Sequence, residues 1–313
     1  WYLLSMKFTD QLIAAIQKKN NSVCVGLDPR FGSLPPAIRD GVDRSDVKAV
    51  ALAYEMFCKA ILDVVADLVP IVKPQSAFFE ALGPAGVNAL ANIVAYAKSK
   101  NVLLLMDAKR GDIGSTAEAY AEAYLGETQT GLSSDALTVN PYMGVDTLRP
   151  FLDACQSNER GMFVLVKTSN PGSGHFQDRI LDKVSGTNPL TKETLFQAVA
   201  NEIELLAAAT VGESGYGAVG AVVGATYPQQ LAMLREQMPH AILLIPGFGA
   251  QGGGVEDVKP GFDLNGVGAI VNSSRGIIFA YNNPEFVANE WQQSVEMACK
   301  SMTEQLSVSA MKT

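Results

Sequence analysis

The stretch Val25-Gly26-Leu27-Asp28-Pro29-Arg30 ends the first of eight short apolar runs and decides how the chain closes its sheet. An open dinucleotide-binding sheet would place a G-x-G-x-x-G cradle directly after its first strand. Here the strand runs out into an aspartate and a proline, with no such cradle. The eight runs lie at residues 22–27, 69–73, 102–107, 136–139, 162–167, 218–223, 242–245 and 269–272, and they are rich in Val, Leu and Ile. Strands covered by helices on both sides read in this way, without the apolar–polar alternation of a half-solvated sheet. Helical periodicity spans residues 45–67, 84–100, 115–125, 146–154, 189–210 and 228–237, and a last helix over 281–302 closes the chain. Alternating β and α segments imply a parallel sheet. Eight strands over this length predict an α/β protein with a TIM-type (β/α)8 barrel, a single domain over residues 1–313.

Of the 313 residues, 48% are hydrophobic and 18% charged, which suits a globular protein with a large core. A net charge of −8 and a pI near 4.9 exclude a broad nucleic-acid-binding face, which must be basic. One small phosphorylated ligand remains compatible, because a local cluster of donors can hold it. No apolar stretch reaches the ~20 residues of a membrane span. Cys24, Cys58, Cys155 and Cys299 fall in neither zinc-site nor disulfide spacing and read as small buried hydrophobes. With no secretory apolar segment, a reducing cytoplasmic compartment is expected. Residues 1–5 precede a methionine and read as an upstream extension. The one long connection follows the fifth run, from Thr168 to Pro189, and carries Gly172, Gly174 and Gly186. At that end of a barrel, a loop over 169–189 is expected to act as a lid on the active site.

Side chains at the C-terminal strand ends of such a barrel face its mouth. In chain order these are Asp28, Lys73, Asp107 with Lys109, Asn140, Thr168 with Ser169, Gln251 and Arg275. The densest segment is Met106-Asp107-Ala108-Lys109-Arg110-Gly111-Asp112-Ile113-Gly114-Ser115-Thr116. Asp107 and Lys109 are two apart, so in extended backbone both project to one side. Asp112 follows Gly111, where the chain must leave the strand. Such a series fixes a protonated lysine between anions. A second cluster, Gly247, Gly249, Gly252, Gly253 and Gly254, lets backbone amides approach an anion closely. It precedes Arg275, whose planar fork suits bidentate phosphate contact, and loops after the last two strands commonly form the phosphate site of this architecture.

Asp107, Lys109 and Asp112 match the D-x-K-x-x-D signature of orotidine 5′-phosphate decarboxylases, and Ile113 and Thr116 extend the match. The chain resembles that family also in Leu27-Asp28, in Lys73, in Pro246-Gly247-Phe248-Gly249-Ala250-Gln251-Gly252-Gly253 and in Ser274-Arg275-Gly276. The resemblance covers roughly residues 22 to 280, and Lys167-Thr168-Ser169-Asn170-Pro171-Gly172 looks like the longer-chain branch. It implies decarboxylation of orotidine 5′-monophosphate (OMP) to UMP with no metal and no organic cofactor. It implies Lys109 as the proton donor to C6, Asp107 facing the departing carboxylate, Lys73 pairing with Asp107 and reaching a ribose hydroxyl, and Asp28 on the ribose. Pro246, Gly249, Ser274 and Arg275 would line the phosphate end, with Gln251 bridging phosphate and pyrimidine O2. Thr168 or Ser169 would read the pyrimidine amide edge. It further implies a homodimer in which Asp112, Ile113 and Thr116 are supplied across the interface.

Other residues carry blander expectations. His175 and His240 show no partner in sequence, and two histidines support neither a Ser-His-Asp nor an H-E-x-x-H scheme. Lys167 suits a structural ion pair as well as a site role; Gln75 faces the same side as Lys73; Arg110 and Asn140 are expected to sit behind the site. Phe78 and Phe79 are expected in the core or an interface. The nearest rival, a metal-dependent sugar-phosphate lyase on the same barrel, generally places a carboxylate where this chain has Lys73, which would repel a cation. A Schiff-base aldolase is disfavoured because flanking carboxylates keep Lys109 protonated. A catalytically silent nucleotide-binding barrel would have no use for Lys73, Asp107, Lys109 and Asp112 together.

Overall fold

The structure is a computed structural model that describes residues 6–128, 130–182, 192–249 and 254–312. Eight parallel strands close into a barrel: β1 (Val23–Leu27), β2 (Ile71–Pro74), β3 (Leu103–Arg110), β4 (Ala136–Val139), β5 (Gly161–Lys167), β8 (Val219–Val223), β9 (Leu243–Pro246) and β10 (Ala269–Ser273). β1 pairs with both β2 and β10, so the sheet has no edge. All eight expected runs are strands, shifted by no more than a few residues. Their burial on both faces agrees with the continuous apolar pattern: Val23, Cys24 and Val25 are all fully buried.

Two apolar layers result. The outer layer packs strands against the helices around the barrel, as where Phe57 stacks on Phe279 and Trp291. The inner layer fills the barrel with Ile71, Leu105, Phe163, Ile242 and Ile270. A helix that periodicity did not single out, Phe8–Lys19, seals the N-terminal end by pressing Phe8, Leu12 and Ile16 into this inner layer. The Phe8 ring meets Phe163 edge-on at 6.3 Å. At Gly161, the first residue of β5, an added Cβ would lie 2.3 Å from the Phe8 ring, so this close approach depends on glycine. With the bottom plugged, ligands can reach the barrel only from the C-terminal face.

Helix boundaries moved where local chemistry overrides periodicity. Asp46 caps the helix Val47–Val65 by accepting from Lys48 N–H and Ala49 N–H, so that helix starts two residues later than expected. Among the described residues of the segment expected as helix over 189–210, the helix runs over Leu195–Ala208, started by a capping box of Thr194 and Gln197. Just before it, β7 (Lys192–Thr194) pairs antiparallel with β6 (Ile180–Asp182), a small sheet within the long connection. The helix expected over 281–302 begins at Trp291, after two short 3-10 turns, and a short helix Val308–Met311 follows it; the expected 146–154 helix is a 3-10 turn followed by Arg149–Ser157. All four cysteines are free and buried. No helix among the described residues is long and apolar enough to cross a membrane.

Candidate active site

A cavity of about 620 Å³ opens at the C-terminal mouth of the barrel. Its floor is divided. Lys73, Asp107 and Thr138 supply a polar half from β2, β3 and β4, while Leu165, Val222 and Leu244 supply an apolar half from β5, β8 and β9. Pro246, Gly247 and Phe248, at and after the end of β9, and Ser274 and Arg275, after β10, complete the lining.

Three donors converge on the buried Asp107 carboxylate. Lys73 Nζ lies 2.7 Å from Oδ2, Lys109 Nζ lies 2.6 Å from Oδ1, and the Thr138 hydroxyl donates to Oδ1 at 3.0 Å. Burial alone would raise the Asp107 carboxyl, but the two ammoniums outweigh it and hold the group well below the usual carboxylate range. Burial likewise disfavours the Lys73 ammonium, yet Asp107 and Asp28 together hold it above the ordinary lysine range. Asp107 is therefore ionised and Lys73 protonated throughout the neutral range, and the one carboxylate is shared by two lysine side chains.

The backbone route to this geometry differs from simple strand alternation. Met106 pairs with Leu137 and Arg110 with Val139, so Asp107, Ala108 and Lys109 together face the single residue Thr138. Lys109 adopts φ +49°, in the left-handed region. The expectation that extended backbone puts Asp107 and Lys109 on one side is thus corrected: a bulge brings them together. Thr138 holds the bulge, accepting from Ala108 N–H at 3.0 Å and Lys109 N–H at 2.9 Å while its own proton goes to Asp107.

The remaining expected residues divide by position. Asp28, Gln75, Thr168 and Ser169 line the cavity. Asp28 Oδ1 is buried with no partner among the described residues, as is Oδ1 of Asn272. Ser274 fits because its neighbour on β1 is Gly26, where a Cβ would sit 1.8 Å from the Ser274 hydroxyl oxygen. Gly249 is exposed with φ +72°, outside the lining. Gln251, Gly252 and Gly253 lie outside the described residues, as do residues 1–5 and 183–191 with Gly186, so the loop expected as a lid over 169–189 is described only as far as residue 182. Asp112, Ile113 and Thr116 do not line the cavity. Ile113 is 61% exposed, and Asp112 only accepts from the following amide. Asn140 also stands outside the lining, and Arg110 turns to Glu80 and Tyr124.

Lys167 proves to be an ion-paired residue: it is buried, 2.5 Å from Asp178 and over the rings of Phe196 and Tyr227. His240 is corrected, since its ring pairs with Glu204; it lies away from the cavity lining. Thr138, Asn272, Arg30 and Phe248 line the cavity without having been picked out from sequence. Asn272 left a trace, a polar residue ending an apolar run. Thr138 left none, because threonine inside a strand reads as ordinary β propensity. No group of three or more His, Cys, Asp or Glu that could hold a metal ion occurs among the described residues.

Comparison with known proteins agrees with this geometry. The profile of the orotidine 5′-phosphate decarboxylase / HUMPS family matches residues 21–290. The chain is 51% identical over 308 residues to the orotidine 5′-phosphate decarboxylase of Rhodopirellula baltica, covering 96% of this chain and 99% of that one. It is 38% identical to the protein of the same name from Caldicellulosiruptor saccharolyticus, covering 96% and 98%. Among solved structures, Leishmania donovani OMP decarboxylase superposes with a TM-score of 0.70 at 30% identity, covering 98% of each chain.

Proposed function

Because the chain belongs to the orotidine 5′-phosphate decarboxylase / HUMPS family, and is a carboxy-lyase of pyrimidine synthesis, we propose that this cavity binds OMP and releases UMP through its Lys–Asp–Lys cluster. One observation carries the proposal. The Lys109 side chain lines the cavity with its Nζ 2.6 Å from the buried Asp107 carboxylate that also binds Lys73, so it is held in place.

The divided floor suggests the pose. The pyrimidine ring lies over Leu165, Val222 and Leu244, with C6 toward Lys109 and Asp107. The phosphate goes to Arg275 and the backbone around Pro246, Gly247 and Gly249, beside Ser274; Gln251 belongs to the same assignment. Ribose hydroxyls satisfy the orphaned oxygen of Asp28 and the remaining hydrogen-bonding capacity of Lys73. Ser169 takes the amide edge of the base, since the Thr168 hydroxyl already accepts from Gln177 and donates to Asn170.

In the reaction, the bond between C6 and the carboxylate breaks, CO₂ departs and the electron pair stays on C6. Lys109 stabilises that charge and passes its proton to C6. No metal or organic cofactor takes part in this scheme. Asp107 also repels the substrate carboxylate, but two unit charges ~4 Å apart are worth roughly 4 kcal/mol at an effective dielectric of 20. Enzymes lower barriers by ~8–23 kcal/mol, so repulsion is a minority contribution beside carbanion stabilisation and phosphate binding energy.

Asp112, Ile113 and Thr116 are assigned to the neighbouring cavity of a homodimer, which accounts for their position outside this cavity and for the exposure of Ile113 and Thr116. Mixing inactive Lys109→Ala with inactive Asp112→Ala subunits should then restore about one working site per mixed dimer. For the reaction itself, purified protein in EDTA should bleach the orotate absorbance of added OMP. Lys109→Ala should abolish that turnover while still binding UMP; turnover persisting in that variant would overturn the assignment.

A further inference from the structure

The loop after β5 is fastened in a way the scheme above does not use. The Gln177 side-chain amide grips two polar atoms of Thr168: its Oε1 accepts from the Thr168 N–H at 2.9 Å and its Nε2 donates to the Thr168 hydroxyl at 2.8 Å. The backbone N–H fixes which end of the amide is which. The Thr168 hydroxyl proton is then directed to Asn170 Oδ1, 2.6 Å away. The next residue repeats the pattern, with Asp178 bound to Lys167 at 2.5 Å. Residues 167 and 168, at the end of β5, are thus tied pairwise to residues 178 and 177.

Ser169 follows directly. It has no hydrogen bond to any described residue and lines the cavity. Its backbone is pressed against β8, where a Cβ on Gly224 would come within 3.0 Å of the Ser169 N, and Gly224 N–H donates to the Lys167 carbonyl at 2.7 Å. Ser169 is held by its neighbours, and its hydroxyl is bonded to none of the described residues. Thr168, Gln177 and Leu165 form a wall between the catalytic cavity and a second, apolar cavity lined by Phe176, Phe196 and Val199. Hydrogen bonds backed by apolar groups face less competition from water.

We propose that Gln177 is a positioning residue for base specificity: by clasping Thr168 it aims the Ser169 hydroxyl at the amide edge of the pyrimidine. The inference rests on the assignment of Ser169 to that edge. Without the clasp, Thr168 regains its rotamers and Ser169 its freedom, so discrimination between a base with an N3–H and one without should decline.

The test is nucleotide binding by calorimetry, with UMP and CMP as probes, in the wild type, Ser169→Ala, Gln177→Ala, Gln177→Glu and the Ser169→Ala/Gln177→Ala double variant. Gln177→Ala should weaken UMP about three- to tenfold, the range of one neutral hydrogen bond, with CMP nearly unchanged. The double variant should be no worse than Ser169→Ala alone, because both act through one hydroxyl. Gln177→Glu, whose carboxylate still accepts from the Thr168 N–H, should keep most of the discrimination. Equal losses for UMP and CMP, or additive losses in the double variant, would overturn the role of Gln177. If Ser169→Ala itself discriminates as well as the wild type, the base-edge assignment fails first and takes this inference with it.

Discussion

Replacing Thr138 by valine keeps the shape of the side chain and removes one oxygen, which makes it a clean probe of the bulge that presents Lys109. Three hydrogen bonds meet at that oxygen: two backbone amides, of Ala108 and Lys109, and the Asp107 carboxylate. Valine leaves both amides without an acceptor in a half-buried place. An unsatisfied buried donor costs about 1–3 kcal/mol, so two at partial burial predict a loss of roughly 2–4 kcal/mol in stability. Asp107 keeps its two ammonium partners, so the charge cluster itself should survive. The Lys109 backbone, released from its anchor, should relax from φ +49° and carry the ammonium away from C6. The expected result is a lower urea midpoint with unchanged slope, a fall in kcat of tenfold or more, and UMP affinity within about twofold of wild type. Thr138→Ser should recover most of both losses. If Thr138→Val melts within about 0.5 kcal/mol of wild type, the ordinary scatter of surface substitutions, and turns over normally, the threonine is not what holds the bulge.

Other outcomes follow from the same geometry. The Asp107 carboxyl is depressed in the folded chain, so its contribution to stability is present above the unfolded value of ~3.9 and is lost as pH falls below it. Lys73 is shifted upward, so its contribution is full below ~10.4 and is lost as pH rises beyond. Denaturation across pH should therefore show a plateau between these limits, with the acid limb reduced in Asp107→Asn; an unchanged limb would contradict the depression. Arg275→Ala should raise KM for OMP by ~10- to 100-fold, the worth of a charge-assisted hydrogen bond, and should hardly affect a substrate lacking the phosphate. Equal losses with both substrates would count against a phosphate role for Arg275. Gly26→Ala should cost ~1–3 kcal/mol through overpacking against Ser274 and weaken nucleotide binding with it, measured by thermal melts and UMP titration.

The barrel was legible in the chain because its signal is redundant. Eight runs buried on both faces repeat one message, and the end of the first at Asp28 and Pro29 ruled out the open alternative. Lys73, Asp107 and Lys109 were legible for a related reason: charged residues directly after apolar strands have no packing explanation. What escaped depends on relations between distant segments. The seal by Phe8–Lys19 is set by where the chain start docks, which periodicity within the helix does not encode. The role of Thr138 comes from its register against β3, and a bulge changes register without altering composition. The pairing of Gln177 with Thr168 joins two turns of one loop whose residues look like any polar connection. The Glu204 partner of His240 escaped because it lies 36 residues away in sequence and on another element.

The left-handed backbone at Lys109 has a consequence for how this protein can change. That conformation suits glycine or asparagine, and an L residue with a long side chain holds it at a cost on the order of 1 kcal/mol. Any search for sturdier variants that scores folding alone would be drawn to this position, gain from emptying it, and discard the one side chain the barrel is bent to present. Durability and chemistry pull in opposite directions at a single torsion angle, so thermal screening should leave residues 107–110 untouched and seek its gains elsewhere.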